Sequence, residues 1–425
     1  MEVADGVTAS VHIATLSKIF KPSAPTDDGQ LFRGRGDQLA SLVSAIQEQG
    51  QHAIVFGERG VGKTSLAYMG MGVFGVQSPG AMRVRLTCGA DDDFASVWRK
   101  LVPRLQQVLD AADDEVRAAM QGVLDRVEDI FMDDPTPETV GRALNLVSSR
   151  TPLLVVIDEF DRIDGFTHSH HFADLIKQIS DDLVACSVCI VGVADDVSGL
   201  ISGHSSVDRS LRQIAMPRMT HEELTEIVLR GFEAFVERSG YSLTIDPQAV
   251  DAIASLSQGF PYYTHLLSSS VGKDAILSNR HEISFDDVFM ALIRAKNDAE
   301  PSIKESYYHA TIAARSDATF DKTLLACAIA KPDRLGYFAA SDVRQPLEEI
   351  LGVPRRNSDF NAHLKRFSGE SPYILESASV TRTPRYRFRN PLMKPYVIMQ
   401  GFESGDISLD SLGVNLEAGR SQDPG

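Results

Sequence analysis

The sequence has no long apolar run and few cysteines. Its longest wholly aliphatic stretch is Leu153 to Ile157, whereas a membrane-spanning helix needs about 20 apolar residues. The acidic residues Glu2 and Asp5 do not fit a secretory signal peptide. Four cysteines in 425 residues are too few for a disulfide scaffold. We therefore expect a soluble, cytoplasmic protein with no membrane partner.

Basic residues are also scarce, since 42 Lys and Arg stand against 58 Asp and Glu, a formal net charge of −16. Taken as a whole, this charge argues against a nucleic-acid coat or a basic membrane-surface protein. The charge is unevenly distributed, however. Residues 301–402 contain 15 basic and 10 acidic residues and carry +5, which leaves −21 for the rest of the chain. Residues 301–402 are therefore a basic region in an otherwise acidic chain.

Short apolar runs alternate with helical patterns from about residue 31 onwards, which is typical of a parallel sheet flanked by helices. A long helical insert, Phe94 to Ser149, separates the second and third runs. Beyond Pro217 the pattern is helical, and Thr220 with Glu223 predicts a capping box. The predicted strands are 52–56, 82–87, 153–157, 187–193 and about 213–216.

Directly after the first predicted strand, the chain matches the phosphate-loop pattern G-x-x-x-x-G-K-[ST] at residues 57–64. The glycines, Gly57, Gly60 and Gly62, let backbone N–H groups surround a β-phosphate, and the following helix adds its positive N-terminal end. We expect Lys63 to contact the β- and γ-phosphates and to act in catalysis. The Thr64 hydroxyl would bind Mg²⁺. The next residue, Ser65, is a further candidate for nucleotide contact.

Carboxylates follow two other predicted strands. Asp158 and Glu159 end the strand that begins at Leu153. We expect Asp158 to hold Mg²⁺ through water and Glu159 to polarise the attacking water as general base. After the strand at 187–193, Asp195 is a candidate for orienting water or sensing the γ-phosphate, although a turn cap explains it equally well. The predicted cofactors are ATP and Mg²⁺.

This order of motifs resembles the AAA+ ATPases over about residues 29–400, particularly the origin-recognition initiator branch and the related STAND signalling ATPases. Residues 32–35, Phe-Arg-Gly-Arg, are similar to the element that lies beside the adenine in that family. Residues 191–195 resemble the initiator sensor strand, in which Asn is usual where Asp195 stands. Residues 259–262, Gly-Phe-Pro-Tyr, resemble the G-x-P lid motif of STAND ATPases, which implies that Pro261 packs near the base.

An arginine finger and an oligomer are implied by the same resemblance. Residues 206–209, Ser-Val-Asp-Arg, are similar to the segment that carries the finger. In the family this arginine reaches the γ-phosphate of the neighbouring subunit, and a guanidinium there stabilises transition-state charge. Arg209 is the first candidate and Arg212 the second, with an ordinary surface arginine as the alternative. The chain is accordingly expected to form a nucleotide-dependent homo-oligomer.

The predicted fold class is α/β, a P-loop NTPase parallel sheet with a helical lid and a C-terminal winged helix. Beyond residue 300, three helical patterns (302–329, 340–351 and 358–367) precede two strand-like runs (371–378 and 385–388). The predicted segments are an N-terminal extension and linker at 1–28, the ATPase core at 29–215, the lid at 216–297, the winged helix at 300–402 and a disordered tail at 403–425.

Two functional hypotheses follow for the basic module, whose arginines and lysines cluster at 355–366 and 382–389. In the first, these clusters contact DNA and the chain is a DNA-associated AAA+ switch acting on a partner protein. In the second, the module is a protein latch on the acidic body, as in a STAND-type signalling or defence regulator. An ATP-binding scaffold without turnover is a third possibility.

Two clusters resemble metal sites only superficially. Cys186 and Cys189 form a lone C-x-x-C inside a predicted buried strand, which favours core packing over zinc. His168, His170 and His171 lack a fixed acidic partner and are interpreted as an exposed polar loop.

Overall fold

The protein's structure is a computed structural model. It describes residues 2–22, 24–25, 29, 32–163, 166–194, 197, 200, 209–288, 290–291, 301–312, 319–333, 336–369, 371, 373–378, 384–390 and 392–408. Two compact units are formed, one by Pro25–Pro217 and the other by Met1–Ala24 with Arg218–Gly425. No helix of the described residues is both long and apolar enough to cross a membrane.

The first unit contains a five-stranded sheet in the order β2-β3-β4-β1-β5, with every neighbouring pair parallel. All six residues of β3 are buried, as a central strand covered by helices on both faces requires. The α/β parallel sheet is thus confirmed, and its strands lie within a few residues of the predicted bounds: β1 (His52–Gly57), β2 (Met82–Thr87), β3 (Leu153–Asp158), β4 (Cys186–Val193) and β5 (Leu211–Ala215).

Seven helices surround this sheet within the described residues. The predicted insert is divided into four of them, and capping boxes at Asp93–Ser96 and Thr136–Thr139 start the first and the last of the four. The fully buried indole of Trp98 anchors the insert in the sheet's core. The helices are α2 (Gly36–Gln47), α3 (Lys63–Gln77), α4 (Phe94–Arg99), α5 (Leu101–Asp110), α6 (Asp114–Ile130), α7 (Pro137–Ser148) and α8 (Phe166–Asp181).

In the second unit, the segment that starts at Arg218 first forms three helices, α9 (His221–Ser239), α10 (Pro247–Ser257) and α11 (Pro261–Leu277). The predicted capping box starts α9, since the Thr220 hydroxyl accepts from the Glu223 N–H and the Glu223 carboxylate accepts from the Thr220 N–H. A small parallel pair, β6 (Thr244–Ile245) and β7 (Glu282–Ile283), accompanies these helices.

The N-terminal segment, predicted as an extension and linker, instead forms helix α1 (Glu2–Ile19) and packs against α9 and α11. Leu16, in its last turn, and Phe20, which directly follows the helix, are buried. Glycines provide the room, because a Cβ on Gly231 would lie 2.3 Å from the Phe20 ring and one on Gly272 would lie 2.7 Å from Leu16. The weak amphipathic pattern around Val11 does not reveal this complementarity.

The C-terminal module, which we define as residues 301–408, has five helices among its described residues, and they accompany a three-stranded antiparallel sheet of order β8-β10-β9. The single predicted pattern at 302–329 corresponds to two helices, and two-residue β8 was not predicted. The elements are α12 (Pro301–Thr311), α13 (Phe320–Ile329), β8 (Phe338–Ala339), α14 (Ala340–Leu351), α15 (Asn357–Gly369), β9 (Leu375–Ala378), β10 (Arg385–Phe388) and α16 (Met393–Glu403). Most of the predicted tail, 409–425, lies outside the described residues.

Candidate functional site

The loop between β1 and α3 has backbone angles that glycine alone adopts easily. Gly57 has φ = 150°, Gly60 has φ = 85° and Gly62, which caps α3, has φ = 96°. A Cβ on Gly57 would also lie 2.4 Å from the carbonyl oxygen of Met216. The loop therefore needs glycine for its shape, and it ends where the N–H groups of α3 begin.

The ammonium group of Lys63 folds back over this loop. Its Nζ donates to the carbonyl oxygens of Gly57 at 3.0 Å and Glu58 at 2.8 Å. Burial lowers the pKa of Lys63 to about 8, although Asp161 and Asp158 oppose that shift. A lysine held in this way presents its positive charge to the inner face of the loop.

Thr64 and Asp158 meet at the same edge of the sheet. The Thr64 hydroxyl donates to Oδ1 of Asp158 at 3.3 Å, and the Glu159 N–H donates to the same oxygen at 2.9 Å. The Asp158 side chain is only 3% exposed. A hydroxyl and a carboxylate are oxygen ligands of the kind that Mg²⁺ prefers, so the residues present fit the predicted metal.

Glu159 leaves the strand in a left-handed conformation with φ = 56°. It precedes the 3₁₀ turn Phe160–Arg162, and its Oε2 lies 3.0 Å from Nε of Arg162. The carboxylate is 44% exposed, so water has access to it. Ser65 lies on the first turn of α3, partly buried.

Asp161 connects two strand ends. Its Oδ1 accepts from the N–H of Val193, the last residue of β4, at 2.7 Å. This bond fixes the carboxyl end of β4 beside that of β3. Asp195, the candidate beyond β4, lies outside the described residues, as does Asp208 of the predicted finger segment.

Arg85 is a site residue that sequence reasoning missed. From β2, its Nη1 donates to Oδ2 of Asp158 at 2.9 Å, and its guanidinium lies over the Tyr68 ring with Cζ 5.1 Å from the centroid. Arg83 and Arg85 occupy alternate positions on one face of β2, which is the one sequence signal that could have drawn attention to them.

Arg35, in the element predicted beside the adenine, is 2% exposed. Its guanidinium donates to the carbonyl oxygen of Pro217. This bond closes the first unit by tying the segment before α2 to the segment after β5, which is a structural role the motif alone did not reveal.

The structure does not bring Arg209 or Arg212 to this site. Arg209 is exposed immediately before β5, and its carbonyl oxygen accepts from the Gln51 side chain before β1. His52 pairs with Leu211 at this amino edge, whereas the phosphate loop follows the carboxyl end of β1. The two edges are separated by about 17 Å of strand.

Pro261 belongs to the second unit, where it is the first residue of α11. The preceding Phe260 ring stacks against the guanidinium of Arg218, with Cζ 4.8 Å from the ring centroid. Gly259 accepts from the Met219 N–H at 3.0 Å, which joins the start of α11 to the entry of α9. Residues 259–262 thus form the start of α11, which packs against the entry of α9.

The two cysteines of the C-x-x-C pattern, Cys186 and Cys189, lie in the buried strand β4. All four cysteines are free and buried, and burial raises the pKa of the Cys189 thiol to about 12. His170 and His171 are exposed on α8, while the His168 side chain lies outside the described residues. Among described residues, no group of three His, Cys, Asp or Glu is placed to hold a metal ion.

Solved structures with a related chain path include archaeal proteins. The Aeropyrum pernix ORC1 protein in complex with DNA is 16% identical, with a TM-score of 0.46, and the match covers 91% of this chain and 97% of that one. The Aeropyrum pernix ORC2 protein is also 16% identical, with a TM-score of 0.48, and the match covers 91% of this chain and 98% of that one. A Walker-type ATPase of Pyrococcus abyssi is 14% identical, with a TM-score of 0.48, and the match covers 89% of this chain and 99% of that one.

Among curated proteins, none matches this chain in sequence. A family does match: nSTAND1, described as Novel STAND NTPase 1, over residues 23–258. The matched segment contains the glycine loop, Asp158 and helices α2 to α10. Because it spans more than half of the 425 residues, the protein belongs to the nSTAND1 family of STAND NTPases.

Proposed function

We propose that the protein binds Mg-ATP at the carboxyl edge of its sheet, hydrolyses it and acts as a nucleotide-dependent molecular switch. The observation that carries this proposal is the convergence of Lys63, Thr64 and Asp158 beside the glycine loop. A loop of backbone N–H groups with one lysine suits a phosphate chain, and the adjacent oxygen ligands suit its magnesium. Membership of an NTPase family supports the same assignment.

Each site residue has a distinct task in this proposal. Lys63 contacts the β- and γ-phosphates, and Thr64 and Asp158 hold the metal, Asp158 through water. Magnesium, when bound, neutralises charge on the phosphate oxygens. Glu159 accepts a proton from the attacking water, a role supported by its accessible carboxylate.

Three further residues have proposed roles. Ser65 adds a nucleotide contact from α3, and Pro261 packs near the base from the lid. Asp195 orients water or senses the γ-phosphate.

Arg209 acts on a neighbouring copy of the chain rather than on its own nucleotide. Its position at the amino edge, far along β5 from its own phosphate loop, supports action between subunits. A guanidinium supplied by a neighbour stabilises charge in phosphoryl transfer. The active species is therefore proposed to be a homo-oligomer.

For the C-terminal module we propose a winged helix that serves as a protein latch. The order helix, strand, two helices and two strands, from α13 to β10, supports that assignment. Two arginines of the β9–β10 hairpin are paired within the module, since Arg387 binds Glu376 on the facing strand and Arg385 lies 2.8 Å from Asp333. Internal pairing leaves these two side chains less charge to offer phosphates, which counts against DNA contact at the hairpin.

DNA association is the second candidate function, carried by α15 instead of the hairpin. Arg356, Asn361 and Lys365 are exposed at the start and along the outer face of this helix. Such residues suit phosphate and base-edge contacts. Arg382, in the other predicted cluster, lies outside the described residues.

The test of the proposed function is phosphate release from ATP by the full-length chain. The wild type should release phosphate with Mg²⁺ and none with excess EDTA. Glu159→Gln should retain binding of a fluorescent ATP analogue while its turnover falls by about a hundredfold or more, the usual contribution of a general base. Unchanged turnover would remove Glu159 from its role, and binding without any wild-type turnover would support the scaffold hypothesis.

A further inference from the structure

The carboxylate of Asp158 is fully engaged by its own protein. One oxygen, Oδ1, accepts from the Thr64 hydroxyl and the Glu159 N–H, and the other, Oδ2, accepts from Arg85. The carboxylate is almost completely buried, so the guanidinium provides the positive charge that a buried carboxylate needs. Arg85 thus supplies to Asp158 the charge that a metal ion would otherwise bring.

Arg85 also has a second partner within reach. Tyr68 lies one helical turn after Thr64 on α3, and the Arg85 guanidinium already rests over its ring at 5.1 Å. About a third of the arginine side chain is exposed. The guanidinium can therefore leave Asp158 while it keeps the aromatic contact.

We propose that Arg85 is a positioning residue that the metal displaces. Without nucleotide, its guanidinium neutralises Asp158. When Mg²⁺ enters with the phosphates, the guanidinium leaves Asp158 and stays on the Tyr68 ring. This inference rests on the proposed function. A divalent cation and a guanidinium repel each other at one carboxylate, so the metal must overcome the Arg85–Asp158 pair. The pair consequently weakens the metal dependence of nucleotide binding.

Arg83 offers a matched control. It projects from the same face of β2, two residues before Arg85, but its Nη1 donates to the carbonyl oxygen of Met71 at 3.0 Å. A change at Arg83 removes the same charge and a similar volume from the same strand. It does not remove a partner of Asp158.

The experiment measures the affinity of the full-length chain for fluorescent mant-ADP with Mg²⁺ and with EDTA, so that no hydrolysis is needed. The readout is the ratio of the Kd in EDTA to the Kd in Mg²⁺. In Arg85→Met this ratio should rise by about tenfold, the change that ~1.4 kcal/mol of relieved repulsion produces. Arg83→Met and Arg85→Lys should keep a ratio close to that of the wild type.

A ratio in Arg85→Met within twofold of the wild type, or below it, would overturn the inference while leaving nucleotide binding intact. If Arg85→Met does not fold, Arg85→Gln removes the charge and keeps a hydrogen bond to Asp158, and the same rise is expected. Failure of the wild type to bind mant-ADP in either condition would instead remove the proposed function, and this inference with it.

Discussion

The hydroxyl of Tyr263 donates a 2.6 Å hydrogen bond to the carbonyl oxygen of Leu392. Tyr263 is fully buried on α11, two residues after Pro261, and Leu392 immediately precedes α16. The bond therefore ties the helix that begins with the lid motif directly to the C-terminal module. Helix α11 and the C-terminal module belong to one compact unit.

Loss of this hydrogen bond should destabilise the second unit. Tyr263→Phe leaves the buried Leu392 carbonyl without its donor, at a cost of about 1–3 kcal/mol. Thermal unfolding of the full-length chain should show a lower Tm for the transition of this unit. Tyr308→Phe, at a tyrosine that is 60% exposed, is the control and should leave the Tm unchanged. Equal Tm values for Tyr263→Phe and the wild type would show that the bond contributes nothing.

Two buried histidines should make the protein less stable in mild acid. Burial lowers the pKa of His52 and of His265 to about 4, below the ordinary value of 6.5. The unfolded chain therefore binds more protons than the folded chain between pH 6.5 and 4, and stability falls as the pH falls through that window. Each histidine contributes a slope of at most about 1.4 kcal/mol per pH unit.

His265→Leu is the variant that tests this pH dependence. It removes the buried imidazole that lies beside the Phe20 ring, one of the two buried proton-binding groups, and puts an apolar side chain in its place. The free energy of unfolding, measured by urea denaturation from pH 7 to 4.5, should fall less steeply in the variant than in the wild type. Parallel curves for the two proteins would contradict the assignment.

Arg209 should act between subunits, and complementation can detect this. Arg209→Ala has an intact phosphate loop, whereas Lys63→Ala has an intact arginine. Each variant alone should hydrolyse ATP poorly, but a mixture should regain activity because a Lys63→Ala copy supplies its arginine to the site of an Arg209→Ala copy. Phosphate release that equals the sum of the separate variants, or full activity of Arg209→Ala alone, would argue against this role.

The hairpin arginines should matter more for stability than for DNA. Arg387→Ala removes the cationic partner that faces Glu376 across the two strands, so the Tm of the second unit should decrease. Affinity for a fluorescent DNA duplex at low salt should not change. Arg344→Ala, an exposed position on α14, is the control for both readouts. A large loss of DNA affinity with an unchanged Tm would restore the hairpin as a DNA-contacting surface.

The sequence was sufficient for features that depend on local pattern. The five strands of the sheet, the glycine loop and the capping box at Thr220 are each determined by residues close together in the chain, and the structure has them where they were predicted. Asp158 follows a buried strand and so lies at the sheet edge that also holds Thr64.

Features that depend on distant residues could not be predicted. The Arg85–Asp158 pair requires the register of β2 against β3 and the direction of a long side chain. The packing of α1 depends on glycines more than 200 residues away, and the pairing of Arg385 with Asp333 requires the segment after α13 to meet strand β10. Strand β8, with two residues, is too short for an alternating pattern.

The central claim is that the glycine loop and Lys63 bind the phosphates of ATP. Equilibrium binding of mant-ATP with Mg²⁺ to the wild type, to Lys63→Ala and to Lys177→Ala tests it most directly, Lys177 being an exposed lysine on α8 of the same unit. We predict saturable binding to the wild type and to Lys177→Ala, and affinity weaker by about a hundredfold for Lys63→Ala, because a charge-assisted contact to phosphate is lost. Equal affinities for all three proteins would contradict the account.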